Sequence, residues 1–373
     1  MPVYTKCTSP TLFTSFAPLL SSISGVPPHY PNLPPILKTT SVNFCISKMS
    51  RAPSSLSQEV LENILEHLDF GDLNAFAACS RQFRNCQNSY FLHRLIKAFA
   101  FYHLSLPSLL ATLHHTGALI GGSFVLSLLL AASSLSWTPA SLDIFISYQQ
   151  TTKFCAFLLE SGYNIDLLFP TQIPSSMRSQ ISSLEIYSFQ DRTIKLFSSC
   201  SLHSITPIVH APLTCLFNFI SASSIYVLYP QLTLRSLCLI NPFLAYKCSL
   251  KRDVLSFLSK YNSRGFVVCQ CASIHHYLSP CKTTICHPLD TSTLQLPLFD
   301  YLRTPLPAKF PSFLSGEKHV VWKLGGCGCT KQNRLVWPYI RTRCNPVSVS
   351  TNFHLTSALI LTSPVRCQLH DNI

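Results

Sequence analysis

Residues 56–85 read LSQEVLENILEHLDFGDLNAFAACSRQFRN. Val60, Leu61, Ile64, Leu65 and Leu68 recur there at the three- and four-residue spacing of one helix face. Ser57 stands where an N-cap is wanted, with Gln58 and Glu59 in the first turn, where the helix dipole favours an acid. Gly71 predicts the stop of this helix, since glycine takes a left-handed turn without steric cost. Asp72 is then expected to cap a second helix that buries Leu73, Phe76, Ala77 and Phe83. A third helix is expected over about residues 90–101. Glu59, Glu62, Glu66, Asp69 and Asp72 are a third of the chain's 15 acids, and they read as a solvated helix face.

The order and spacing of these residues resemble an F-box. The positions that carry the resemblance are Leu56, Glu59, Val60, Leu61, Ile64, Leu65, Leu68, Asp72, Leu73, Cys79, Arg81 and Phe83. Ser57 departs from the family pattern, which usually has proline there. The resemblance implies docking onto the Skp-type adaptor of a cullin-RING ubiquitin ligase. It implies an interaction subunit that presents an unknown protein client, without enzymatic activity, cofactor or metal, in the cytoplasm or nucleus. The residues it assigns to adaptor binding are Leu56, Glu59, Val60, Leu61, Ile64, Leu65, Leu68, Asp72 and Leu73. Physically, a short helical unit can bury one apolar face and offer another to a partner's groove.

Downstream, residues 105–268 read as alternating helices and strands. A helix precedes a strand near 118–120, and Gly121, Gly122 and Ser123 open the next helix. A strand follows at 142–147 and a helix at about 151–161. Strands are expected at 184–189 and 194–199, a helix at about 208–222 and a strand near 226–229. A helix over 250–260 leads into a strand at 265–268. Gly-Gly-Ser, a helix and then SLDIFI resemble the nucleotidyltransferase fold. In that fold a Gly-Ser turn lies beside the incoming triphosphate, and two acids alternate on the next strand so that both point the same way and hold two metal ions. Here Ser141 stands where the first acid belongs and Asp143 alone remains, and the strand TIKLFSS brings no third carboxylate. One carboxylate does not clamp two metals. The resemblance is therefore to a degenerate, non-catalytic relative, the alternative being a nucleotidyltransferase using Asp143.

The F-box-like stretch taken with ALIGGSFVLSLLL, SLDIFI, LYPQLTLRSLCLINP, KYNSRGF and VVWKLGG is similar to a large group of uncharacterised fungal F-box proteins. The expected fold class is α+β. A three-helix F-box-like unit (53–101) precedes a mixed-sheet α/β body (102–326) that binds the client. An unstructured leader (1–52) and a poorly ordered basic tail (327–373) flank them.

Composition narrows the function classes. Charged residues are only 12% of the 373 and hydrophobic ones 47%, which fits a chain with a large buried core rather than a charged disordered one. The net charge of +13 sits mainly at the ends: residues 301–373 hold nine bases against two acids, and residues 1–48 hold three lysines and no acid. A nucleic-acid-binding stripe would be denser and lie along a recognition helix, so no nucleic-acid partner is expected. No charged residue falls between Lys97 and Asp143. The apolar core there is too short to span a bilayer, which needs about 20 residues, so no membrane partner is expected either.

Seventeen cysteines do not read as a disulfide framework. Their number is odd, and Cys79, Cys155, Cys215 and Cys238 lie in apolar runs, where free thiols act as small hydrophobes. A reducing compartment is the consequence. Cys269, Cys271, Cys281, Cys286, His287, Cys327, Cys329 and Cys344 crowd the C-terminal third, but their irregular spacing does not match a zinc knuckle. Val320, Val321 and Trp322 are expected to form a last strand ended by Gly325 and Gly326. His114–His115 and His275–His276 are adjacent pairs that read as surface or capping residues. No P-loop, nucleophile elbow or H-E-x-x-H occurs.

Overall fold

The computed structural model describes residues 57–166, 177–241, 252–269, 286–290, 292–298, 320–323, 326–327, 335–336 and 339–342. The leader and the tail beyond 342 lie outside these residues. The architecture is α+β: helices lead, and a mixed sheet follows.

Helix α1 (Gln58–Glu66) starts at Ser57, whose hydroxyl accepts from the Val60 amide. Helix α2 (Phe70–Cys79) begins earlier than expected. Asp69, not Asp72, is its cap: the Asp69 carboxylate accepts from the Asp72 N–H at 2.9 Å. The chain leaves α1 at His67, so Gly71 is not the stop but part of the first turn of α2. Phe70 can then enter the core. Ser80 caps α3 (Arg81–Ala100), accepting from the Phe83 amide at 3.1 Å. This third helix runs 20 residues and starts nine positions before the expected 90. The polar run Arg81–Ser89 shows no apolar period, yet nothing in it breaks a helix and Ser80 supplies a start. Phe83 therefore belongs to α3, where it stacks on Phe76 of α2 at 4.2 Å.

Helix α4 (Leu106–Thr116) ends at Gly117 in a left-handed conformation. Strand β1 (Leu119–Gly121) passes directly into helix α5 (Gly122–Leu129). Strand β2 (Leu142–Ser147) and helix α6 (Thr151–Glu160) fall where the sequence puts them. Strands β3 (Asn164–Ile165), β4 (Ile181–Phe189) and β5 (Arg192–Ser199) follow.

The helix expected at 208–222 is absent. In its place stand a single turn, α7 (Thr206–Val209), a 3₁₀ turn at Thr214–Leu216 and strand β6 (Asn218–Ile220). Pro207 starts α7, and Pro212 lacks the amide a continuing helix would need. The buried carbonyls of Val209 and Ala211 accept from the Asn241 amide at 3.3 and 3.0 Å. The segment is buried along nearly its whole length, so it carries no amphipathic period to report its shape.

Strand β7 (Ser224–Val227), helix α8 (Pro230–Thr233), strand β8 (Leu237–Leu239), helix α9 (Arg252–Asn262) and strands β9 (Val267–Cys269) and β10 (Leu294–Pro297) complete the body. Strand β11 (Val320–Lys323) contains the expected last strand. The chain does not stop there: β12 (Gly326–Cys327) pairs with β13 (Leu335–Val336), and β14 (Tyr339–Thr342) pairs with β11. Gly326 thus opens a strand, and regular structure continues beyond the 326 boundary drawn from sequence.

The main sheet has eight strands in the order β10-β7-β6-β1-β2-β5-β4-β3, and only the β2–β5 pair is parallel. Its alternating side chains feed two cores, as the two-residue period of a strand requires. Ile120, Ile144, Ile146, Ile194, Leu196 and Val227 face the helices α1–α6. Leu119, Phe145, Phe197, Phe219 and Tyr226 face the opposite layer with α7, α9 and Trp322. The first core is continuous from Leu65, Phe70 and Leu73 through Phe91, Leu95 and Phe99 to Phe124 and the sheet. Helix α3 therefore joins the N-terminal helices to the body by packing. Arg94 on α3 adds polar ties: Nη2 donates to the carbonyls of Ser127 and Leu130 at 2.7 and 2.9 Å, at the C-terminal end of α5. Burial lowers the pKa of this guanidinium, yet the bonds are charge-assisted and fill carbonyls that a helix end leaves open. Arg94→Ala should cost about 3 kcal/mol in a denaturant titration of the full chain, with Arg94→Lys recovering part of it.

Candidate functional site

Two places collect the residues that sequence analysis singled out. The first is the N-terminal helical unit. Leu56 lies outside the described residues. On α1, Leu61 and Leu65 point inward, 5% and 1% exposed, while Val60 and Ile64 are 43% and 39% exposed. The two pairs lie on different sides of the same helix because a step of four residues nearly repeats its direction and a step of one does not. Glu59 and Asp72 are exposed, Leu68 is half-buried and Leu73 is fully buried. Of the set assigned to adaptor binding, Leu61, Leu65 and Leu73 thus build the core. Val60 and Ile64 form an outward aliphatic pair flanked by exposed Glu59, Glu62 and Glu66.

The second place is the β1–α5 turn. Gly121 lies opposite Asp143 in the antiparallel β1–β2 ladder. Gly122 has φ +69°, and a Cβ there would overlap the Asp143 carboxylate. Only glycine satisfies both conditions. Ser123 is buried at the start of α5. Ser141, also buried, donates from its hydroxyl to Asp143 Oδ1 at 2.8 Å. The structure therefore gathers Gly121, Gly122, Ser141 and Asp143 into one corner, although 20 residues of sequence separate the turn from the strand.

The corner also contains cations that sequence analysis did not assign. Lys195 on β5 is the register partner of Asp143 across the parallel pair. Near the end of α9, Lys260 is close enough to sense the charges of Asp143, Lys195 and Arg264. The Arg264 guanidinium lies over the Trp137 ring at 3.9 Å and over Tyr261 at 5.3 Å. Desolvation raises the Asp143 pKa, opposed by Lys195, the Ser141 hydroxyl and Lys260. Burial lowers the Lys260 pKa, aided by Arg264 and Lys195 and opposed by Asp143. A divalent cation does not suit this corner: one carboxylate faces the two positive groups of Lys195 and Lys260, and no second acid approaches among the described residues. Among those residues, no group of three His, Cys, Asp or Glu side chains is arranged for a metal. The only signal for the cations in sequence was the alternation on TIKLFSS, which puts Lys195 on the same side as Phe197.

Other chemistry-bearing groups are occupied structurally. Tyr187 and Cys155 both donate to Glu185 Oε2, at 2.7 and 3.3 Å, and burial pushes the Cys155 thiol up to about 11. Such a thiol is a poor nucleophile at neutral pH. Cys79, Cys86, Cys155, Cys200, Cys215 and Cys238 carry free thiols. Of the C-terminal Cys/His set, Cys286 is buried and bridges to the Trp322 backbone, and His287 pairs with Asp290 at 3.0 Å. Only the backbone of Cys269 and Cys327 is described, and Cys271, Cys281, Cys329 and Cys344 lie outside the described residues, as do His275 and His276. His114 and His115 occupy the last turn of α4.

Comparison with protein families matches residues 53–95 to the F-box domain. The match covers α1, α2 and most of α3. No curated protein and no solved structure matches the chain. The chain thus carries an F-box domain, a non-catalytic interaction module of ubiquitin-ligase assemblies, ahead of a mixed sheet. Among the described residues no helix is long and apolar enough to cross a membrane.

The raised Asp143 pKa has a consequence for stability. The folded chain holds this proton to higher pH than the unfolded chain does, so ionising Asp143 works against folding. Its contribution worsens as pH rises from the ordinary aspartate value through the folded one. Asp143→Asn keeps an acceptor for Ser141 and removes the buried charge. It should raise the melting temperature at pH 7, and that gain should vanish on acidification to the ordinary aspartate range.

Proposed function

We propose that this protein is an F-box substrate receptor, whose N-terminal helices dock a Skp-type adaptor of a cullin-RING ubiquitin ligase and whose sheet-containing body holds a protein client. The observation that carries the reading is the F-box match at 53–95 together with the outward Val60–Ile64 pair on α1. Exposed β-branched side chains a turn apart are costly in water and suit a partner's apolar groove. Within the set Leu56, Glu59, Val60, Leu61, Ile64, Leu65, Leu68, Asp72 and Leu73, we assign direct contact to Glu59, Val60, Ile64 and Leu68. The buried leucines Leu61, Leu65 and Leu73 shape the surface from beneath. A role in the cytoplasm or nucleus agrees with the free thiols.

For the body, the reading is a degenerate nucleotidyltransferase-like fold of the kind carried by fungal F-box proteins, without transfer activity. The antiparallel β1–β2 pair with a Gly-Gly-Ser turn and Asp143 opposite Gly121 supports it. Ser141 in place of an acid and Lys195 beside Asp143 argue for a pseudoenzyme. The competing enzyme reading requires metal-dependent nucleotide transfer that disappears in Asp143→Asn.

The adaptor reading is tested by changing Val60 and Ile64 together to Asp. Both sites are exposed, so the chain should keep its thermal transition while co-purification with the adaptor is lost. Adaptor retained by the folded double variant would remove the assignment. Leu61→Asp and Leu65→Asp do not serve this test, because each would bury a charge in the core and unfold the unit.

A further inference from the structure

We propose that Cys215 and Cys238 form a disulfide clamp that closes when the chain meets a low-molecular-weight disulfide. The inference goes beyond the receptor reading and does not depend on it. It starts from the path of the chain at β8 (Leu237–Leu239), which runs antiparallel to the residues around the 3₁₀ turn at Thr214–Leu216. The Asn241 N–H donates to the Pro212 carbonyl at 2.8 Å, and Leu213 forms an antiparallel bridge with Ile240. The Leu239 N–H then donates to Thr214 Oγ1 at 2.9 Å. At each step one number rises by one and its partner falls by one, so the next rung sets Cys215 against Cys238. Opposed residues of an antiparallel pair have Cα atoms about 4.5–5.5 Å apart. That lies inside the range of about 4.4–6.8 Å that a disulfide spans.

The second observation is the surroundings of the two sulfurs. Both side chains are fully buried, in one core with Leu213, Phe217 and Tyr261. Burial raises the Cys215 pKa, and the Cys238 thiol beside it raises it further. The closed core therefore keeps Cys215 as a thiol, and attack begins when β8 lifts from the turn. One protein thiolate attacks a sulfur of glutathione disulfide, whose S–S bond breaks and releases one glutathione thiolate. The second cysteine attacks the protein sulfur of this mixed disulfide and releases the other glutathione. The two protein thiols lose two electrons and two protons, and glutathione disulfide gains them as two glutathione thiols. The new bond closes the stretch from 215 to 238, which carries β6, β7 and α8, and so restricts the unfolded chain.

The test is incubation of the full chain with glutathione disulfide below its thermal transition, followed by alkylation and tryptic mapping without reductant. Trypsin cuts after Lys195, Arg235 and Lys247, so Cys215 and Cys238 fall in separate peptides. Cys200 shares the first of these and is exposed, so the experiment is run in a Cys200→Ser background. The expected result is a linked pair of peptides 196–235 and 236–247, two hydrogens lighter than their sum. The thermal transition should move upward and return on adding dithiothreitol, and Cys215→Ala or Cys238→Ala should abolish that shift. The linkage is read in the Cys200→Ser chain, so it stands however the alanine variants fold. Exposed Cys79 controls for the reagent. Glutathione on Cys79 with no 215–238 linkage, glutathione adducts alone on Cys215 or Cys238, or a linked pair with an unchanged transition would overturn the proposal.

Discussion

The burial of one face of α3 is the constraint on which the rest of the described structure depends. Phe91, Leu95 and Phe99 recur every four residues and are almost completely buried, so they form a stripe along the helix. The N-terminal end of that stripe packs with Phe70 of α2, whose ring lies 5.5 Å from Phe91. The C-terminal end meets Phe124 of α5, ring to ring at 5.0 Å. Burying each large side chain contributes about 2 kcal/mol relative to exposure. Arg94, a turn from Phe91 and beside Leu95, ties the same helix to the end of α5. The F-box segment and the sheet are thus consolidated by one core and not merely joined by a linker.

This arrangement gives the two sides of α1 different surroundings. The inward side of α1 belongs to the common core through Leu65, and its outward side keeps Val60 and Ile64 available. A partner that takes the outward side leaves the inward packing intact. The opposite face of the sheet, with the Asp143 corner, is remote from α1 because alternating strand residues separate the two cores.

Much of this was legible in the sequence where a strong local signal agreed with tertiary packing. Gly121, Gly122 and Ser123 announced the β1–α5 turn, where the positive φ of Gly122 and the Asp143 carboxylate beside it leave room only for glycine. SLDIFIS read as a strand, since its alternation survives burial on both faces. The signal failed where burial erased periodicity, as at 206–222, where prolines and the Asn241 amide decide the path. It failed again in the first half of α3, whose polar side chains carry no stripe until Phe91. The cations of the candidate site were hidden for a different reason. Lys195, Lys260 and Arg264 lie far from Asp143 in sequence, and a search for paired acids passes over the bases that replace them. Helix α1 was read with its aliphatics Val60, Leu61, Ile64, Leu65 and Leu68 on one face, whereas Val60 and Ile64 are exposed. Which of its aliphatic pairs faced inward depended on the position of α3 and needed the fold.

The central claim is that α3 makes the N-terminal helices and the sheet one cooperative unit. Native-state hydrogen exchange on the full chain tests it most directly. The account predicts that the amides of α3 around Phe91–Phe99 and those of β1 and β2 exchange with the same opening free energy and the same denaturant dependence. Opening of α3 at much lower free energy, with β1 and β2 still protected, would contradict it.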